Sequence, residues 1–302
     1  MASIQQFKRN HQIYLMLTPN LLIFLALTIY PVIWALQYMF FSYDGINAAK
    51  FVGFDNFIRL FTRDDVFWRS VVNTLVYVGG KLVLTLPPAF ILAVILNRKF
   101  RGQGLLQGIM FSPTIMSTAV MALMFYLIFN VYNGVLNHLL VATGLIQVPI
   151  NWLGKDLAML TCVMVGAWGG IGNYMIYFLA GLQSIPKEIY ESAELDGVNG
   201  FQRMVHITIP MMGPILQVIL MLSIIIAFQD MQSIMVLTEG GPFSATQVMF
   251  LYIYQLYFPI SASANTLVNS DFGYGAAVSI VAAAIIGVVT CVYLYCSRKL
   301  DY

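Results

Sequence analysis

The sequence predicts an all-α fold, a polytopic membrane protein with six transmembrane helices in a single domain spanning 1–302. Three observations predict it. The chain is 60% hydrophobic and 9% charged, with a mean hydropathy of +0.80, whereas soluble domains average about 25% charged residues. Its apolar runs, at about 13–41, 71–96, 105–131, 157–182, 211–237 and 272–296, have the roughly 20 residues that a helix needs to cross a bilayer core. Lys and Arg gather at the N-terminus, at 98–101, at 187–203 and at the C-terminus more than in the intervening loops. An even number of spans then places both termini in the cytoplasm.

Each element has its own warrant. Lys8, Arg9 and His11 precede the first run, which lacks a small-residue cleavage site. It reads as a retained helix, with a bend expected near Pro19 or Pro31, rather than as a removed signal peptide. Between 42 and 69 the charges are evenly mixed. Asp55 suits the N-cap of a short helix in which Phe54, Phe57, Ile58 and Phe61 share a face, a helix lying in the membrane interface with Trp68 as its anchor. The second span is followed by Arg98, Lys99 and Arg101 with no acid among them, and the third carries Pro113. In the outer loop 132–155, Val135, Leu136, Leu139 and Leu140 make another short apolar face. The fourth span contains Gly166, Gly169, Gly170 and Gly172, which let helices approach closely. Residues 237–242 read as a turn, 248–258 as an apolar segment too short to cross, and 260–270 as small, polar and flexible. The last span ends at Arg298 and Lys299.

The loop 183–210 stands apart. In a chain this poor in charge it holds Lys187, Glu188, Glu191, Glu194, Asp196, Arg203 and His206, so it lies in water or against a water-soluble partner. Pro186 suits a first helical turn, and a helix over 186–196 can stop at Gly197, which tolerates the left-handed conformation. Ile185, Ile189, Tyr190 and Ala193 give that helix one apolar face with carboxylates beside it. A second amphipathic piece, Phe201, Met204, Val205 and Thr208, leads to Pro210.

The spacing within this loop is informative. Glu191-x-Ala193, three residues, Gly197, nine residues, then Ile207-x-Ile209-Pro210 resembles the cytoplasmic signature loop of ABC-importer permeases, with Ser192 and Ile209 as mild departures. Segments 51–57, 237–242 with Thr246, and 271–277 resemble, in order, further parts of the larger, maltose-type carbohydrate permease subunit. The resemblance implies a cytoplasmic coupling helix, with Glu191, Ala193, Glu194, Asp196, Gly197, Ile207 and Pro210 meeting the ATP-hydrolysing partner. It implies a second homologous permease subunit, an ABC ATPase dimer that binds the ATP and Mg, and an extracellular or periplasmic sugar-binding protein. The setting would be a bacterial or archaeal cytoplasmic membrane, with lipid as a further partner. By position it also implies a sugar path at Trp168, Gly170, Ser223, Ala227 and Gln232, although Ala227 stands where the family has a sugar-binding asparagine.

Two charges fall inside apolar runs. Lys81 either snorkels towards the outer interface or faces a partner, and Asp230, flanked by Gln229 and Gln232, either lines a path or bonds a neighbouring helix. No catalytic centre is expected. Gly80-Lys81 has Leu75 where a phosphate-binding loop needs glycine and Leu82 where it needs Ser or Thr. No Gly-x-Ser-x-Gly or His-Glu-x-x-His occurs, the scattered His11, His138 and His206 suggest no metal site, and Cys162, Cys291 and Cys296 read as small buried residues. No basic patch interleaved with aromatics suggests a nucleic-acid partner. Rival readings are an ion-driven secondary transporter using Asp230 and Lys81, and an ABC permease for a non-sugar solute.

Overall fold

The computed structural model describes residues 2–259 and 270–297, with side chains from residue 13 onwards. The expected flexible stretch at 260–269 and the closing Arg298 and Lys299 lie outside the described residues. Helices dominate. In chain order they are α1 (Ala2–Phe24), which runs through a π-helical turn (Leu25–Ile29) into α2 (Tyr30–Leu36), then α3 (Asp55–Arg63), α4 (Asp65–Leu96), α5 (Gln103–Ile115) and α6 (Thr118–Ile128). There follow α7 (Val135–Ala142), α8 (Ala158–Gln183), α9 (Lys187–Leu195), α10 (Gly200–Arg203), α11 (Ile209–Met211), α12 (Gly213–Gln229), α13 (Gln232–Thr238), α14 (Met249–Tyr257) and α15 (Phe272–Ser297). Two short strands, β1 (Phe41–Ser42) and β2 (Lys50–Phe51), pair antiparallel.

Five helical segments are long and apolar enough to cross a membrane: Ile13–Phe40, Asp65–Leu96, Ala158–Gln183, Gly213–Thr238 and Phe272–Ser297. Where one continuous third span was expected, α5 and α6 meet at a bend of 95°. Met116 and Ser117 are extended between them, while Ser112 Oγ donates at 2.9 Å to the Ile109 carbonyl, the acceptor that Pro113, lacking an N–H, leaves open. By its internal contacts the chain divides into two compact units, residues 1–64 with 253–283 and residues 65–252 with 284–302.

In the first unit, Asn56 anchors α3 by donating through Nδ2 to the carbonyls of Met39 (2.9 Å) and Phe41 (3.0 Å). Asp55 is the first residue of α3 and makes no cap, and Phe54, Ile58 and Phe61 are exposed while Asn56 and Leu60 are buried. The aromatic face of α3 thus turns outward, and Asn56 and Leu60 form the face that packs inward. Arg59 pairs with Asp271 at 2.8 Å and stacks over the Tyr274 ring, and Tyr274 donates to Asp64.

In the second unit, α4 packs along α8, and two apolar clusters form. One holds Tyr77, Met121, Phe129, Cys162, Val165 and Ile234; the other holds Ala89, Leu96, Tyr174, Phe178, Leu182 and Met212. Between them, along α4 and α8 alike, lies a polar layer. Cys162 is buried as expected, but Cys291 and Cys296 are exposed, on a helix whose apolar surface suits lipid. In the outer loop the buried residue of α7 is Asn137, not the leucines on either side of it. Its amide donates to Val131 O (3.1 Å) and Ile150 O (2.9 Å), and its carbonyl accepts from Ile150 N (3.2 Å) and Trp152 Nε1 (3.0 Å).

Candidate functional site

The polar layer is built from α4, α8 and the junction of α12 with α13. Tyr77 and Lys81 are four residues apart on α4 and so share a face. On α8, Gly166, Gly169, Gly170 and Asn173 recur at helical spacing and line a cavity, as do Ile226, Gln229 and Asp230 beside it. The fifth span breaks here: Asp230 has φ −74° and ψ 104°, extended between α12 and α13. The break swings its carboxylate onto α4. Oδ2 accepts from Tyr77 Oη at 2.7 Å and from Lys81 Nζ, and Oδ1 accepts from Ser233 Oγ at 3.2 Å. The Lys81 and Asp230 side chains are 11% and 10% exposed. Lys81 therefore faces a partner rather than the outer interface. Gly166 makes room for this arrangement, since a Cβ there would strike the Tyr77 hydroxyl and approach Asp230 Oδ2 to 3.6 Å. The cavity has a volume of about 340 Å³, within the usual range for small-molecule sites.

Gly170, Gln229, Asp230 and Gln232, expected on a path, line this cavity. Trp168 does not: it is 38% exposed and sits edge-on to Phe125 at 5.1 Å. Ser223 and Ala227 are buried elsewhere on α12, with Ser223 Oγ donating to Leu220 O at 2.8 Å. Sequence reasoning missed Asn173, Thr114, Thr118 and Ser233. A polar residue one helical turn beyond Gly169–Gly170 was the available signal for Asn173.

The charged loop forms a second candidate surface. α9 begins after Pro186 and ends at Gly197, whose φ is +72°. The Gly197 N–H donates to Glu194 O and that of Val198 to Ala193 O, both at 3.1 Å, closing the helix as a left-handed cap does. Asn199 and Gln202 cap α10 reciprocally. Ala193 is buried, and Ile189 and Tyr190 pack against the apolar cluster that holds Tyr174, Phe178 and Leu182. Glu191, Glu194, Asp196, Gly197 and Pro210 are exposed, and Ile207 is half-buried. Arg203 holds the two short helices together by pairing with Glu194 at 3.1 Å, over the Tyr190 ring. Leu195 (91%) and Phe201 (77%) stand exposed beside the acids. The second apolar piece thus buries Thr208 but presents Phe201 outward.

A bundle of membrane-length helices with a broken span over a polar cavity, and a charged loop outside it, defines a solute permease. Residues 86–302 match the family described as "Binding-protein-dependent transport system inner membrane component", and the chain belongs to that family. It is the permease subunit of an ABC importer, a conduit rather than an enzyme. Relatives include the lactose transport system permease protein LacF of Rhizobium radiobacter, 31% identical over 99% of this chain and 98% of the relative. The trehalose/maltose transport system permease protein MalF of Thermococcus litoralis is 32% identical over 94% and 93%. The fold is that of a chain from a crystal structure of a bacterial ABC transporter involved in import of the acidic polysaccharide alginate, with TM-score 0.80, 25% identity and full coverage of both chains. A second such structure, in complex with a periplasmic protein bound to alginate pentasaccharide, gives TM-score 0.81 at 25% identity, covering 98% of this chain and 97% of that one.

Proposed function

We propose that this chain conducts a carbohydrate. With a second, related permease it encloses a path through a bacterial or archaeal cytoplasmic membrane, and the cavity around Lys81 and Asp230 is its share of the substrate contacts. The cavity carries this reading, because uncharged amides and hydroxyls around a buried ion pair offer donors and acceptors at membrane depth, where polar groups are costly unless used. The sugar names of the relatives support the substrate class.

In this reading both termini and the loop 183–210 face the cytoplasm. Glu191, Glu194, Asp196 and the exposed Leu195 meet a dimeric ATPase, which binds the ATP and Mg. Ala193 and Ile207 seat the loop on the bundle, while Gly197 and Pro210 set its turns. Closure of the ATPase shifts the loop as a rigid body, and the cavity opens alternately to either side. A sugar-loaded binding protein docks outside. The test is reconstitution in vesicles: uptake of labelled maltose or lactose should require ATP, the ATPase and a binding protein. Uptake by this chain alone, driven by an ion gradient, would overturn the reading.

A further inference from the structure

The charge balance of the cavity says which carbohydrates it takes. Among the described residues that line it, Lys81 and Asp230 are the charged ones, and each is the other's partner. The remaining polar lining, including Asn173, Gln229 and Gln232, is uncharged and indifferent to the sign of a ligand. A carboxylate offers about four acceptor positions and an ammonium three donors. Asp230 has filled three of its positions, with Tyr77, Lys81 and Ser233, and Lys81 spends one N–H on Asp230. What remains free is a weak acceptor and two donors side by side. Sugar hydroxyls, which both donate and accept, complete such a pair without disturbing it.

We propose that this cavity selects neutral oligosaccharides and rejects those bearing carboxylates. The inference rests on reading the cavity as the substrate path. A uronate bonding the two free Lys81 donors would have to share that single cation with Asp230, which puts two carboxylates and one positive charge in one largely desolvated space. The alginate importer shares the fold, so the fold does not set the sign of the substrate. The pairing of Lys81 does.

The experiment is equilibrium binding to the assembled permease–ATPase complex in lipid nanodiscs, without binding protein, using maltotriose, lactose and tri-galacturonate as probes. The wild type should bind the neutral probes at least about tenfold more tightly than tri-galacturonate. Asp230→Asn, which keeps the shape and one acceptor oxygen but frees the Lys81 charge, should improve tri-galacturonate binding about tenfold or more, in a salt-sensitive way. Lys81→Met/Asp230→Asn should show no such gain, which separates charge from shape if either single variant folds poorly. Wild-type preference for tri-galacturonate, or an unchanged ratio in Asp230→Asn, would overturn the selectivity while leaving the path in place. Failure of every probe to bind would remove the path, and the selectivity with it.

Discussion

Replacing Lys81 by Met keeps the length and most of the volume of the side chain but removes the charge. Asp230 would then be left about 90% covered, with only the Tyr77 and Ser233 hydroxyls as donors. Removing one partner of a buried ion pair typically costs about 3–5 kcal/mol, equivalent to roughly two to three and a half orders of magnitude in the unfolding constant. The pair is about nine-tenths covered, with the fully buried Tyr77 on its protein side and only its remaining edge facing the cavity, so solvent offsets only part of the loss. Lys81→Met/Asp230→Asn removes both charges and should recover most of the difference, because a matched neutral pair leaves no charge without compensation. The assay is reversible unfolding in mixed micelles, followed as a double-mutant cycle over Lys81→Met, Asp230→Asn and the combination. A single-variant cost below about 1 kcal/mol, as for an exposed pair, would refute the reasoning. So would a double variant no more stable than Lys81→Met.

Three further outcomes are expected. Gly166→Ala should destabilise by about 1–3 kcal/mol through overpacking, because a Cβ there would strike the Tyr77 hydroxyl that donates to Asp230; thermal denaturation of the variant beside wild type checks this. Asn137→Ala leaves the Trp152 Nε1–H and the carbonyls of Val131 and Ile150 without their partner, so it should lower local stability by about 2–3 kcal/mol and speed proteolytic nicking within 132–156. Gly197→Asp forces a side chain onto a residue at φ +72°, at about 1–2 kcal/mol of local strain. Membrane insertion should be unchanged while uptake falls below about a tenth of wild type and ATPase activity persists, as measured side by side in vesicles.

The spans were legible because a run of 20 apolar residues has few other uses, and the stop at Gly197 because a left-handed terminus favours glycine. The break at Met116–Ser117 was not. Neither residue disfavours a helix strongly, and the bend accompanies tertiary contacts: Thr114 Oγ1 donates to Gly169 O at 3.4 Å, and Gly172 admits the α5 backbone so closely that a Cβ would lie 2.9 Å from Phe111 Cα. Asp230 announced itself as a charge in an apolar run, whereas its partner was out of reach of local pattern, since Lys81 is 149 positions away. Trp168, Ser223 and Ala227, carried over by position, are not among the residues that line the cavity: Ser223 and Ala227 are buried in packing on α12, and Trp168 stands 38% exposed against Phe125. The lining residues of α8, at 166, 169, 170 and 173, follow the 3.6-residue period. Asn137 was hidden for the opposite reason: its leucine neighbours made the stronger apolar pattern, while four hydrogen bonds decided which side was buried.

The central claim is that the exposed acidic helix α9 is where an ATPase moves this permease. Leu195, 91% exposed at its end, is the probe, because a cysteine there disturbs no packing. In Leu195→Cys, a short bifunctional reagent should join this chain to its ATP-binding subunit in inside-out vesicles, and the yield should change when ATP is added. Labelling of the same cysteine from the outer face of intact cells by an impermeant maleimide, with no cross-link to a nucleotide-binding subunit, would contradict the account.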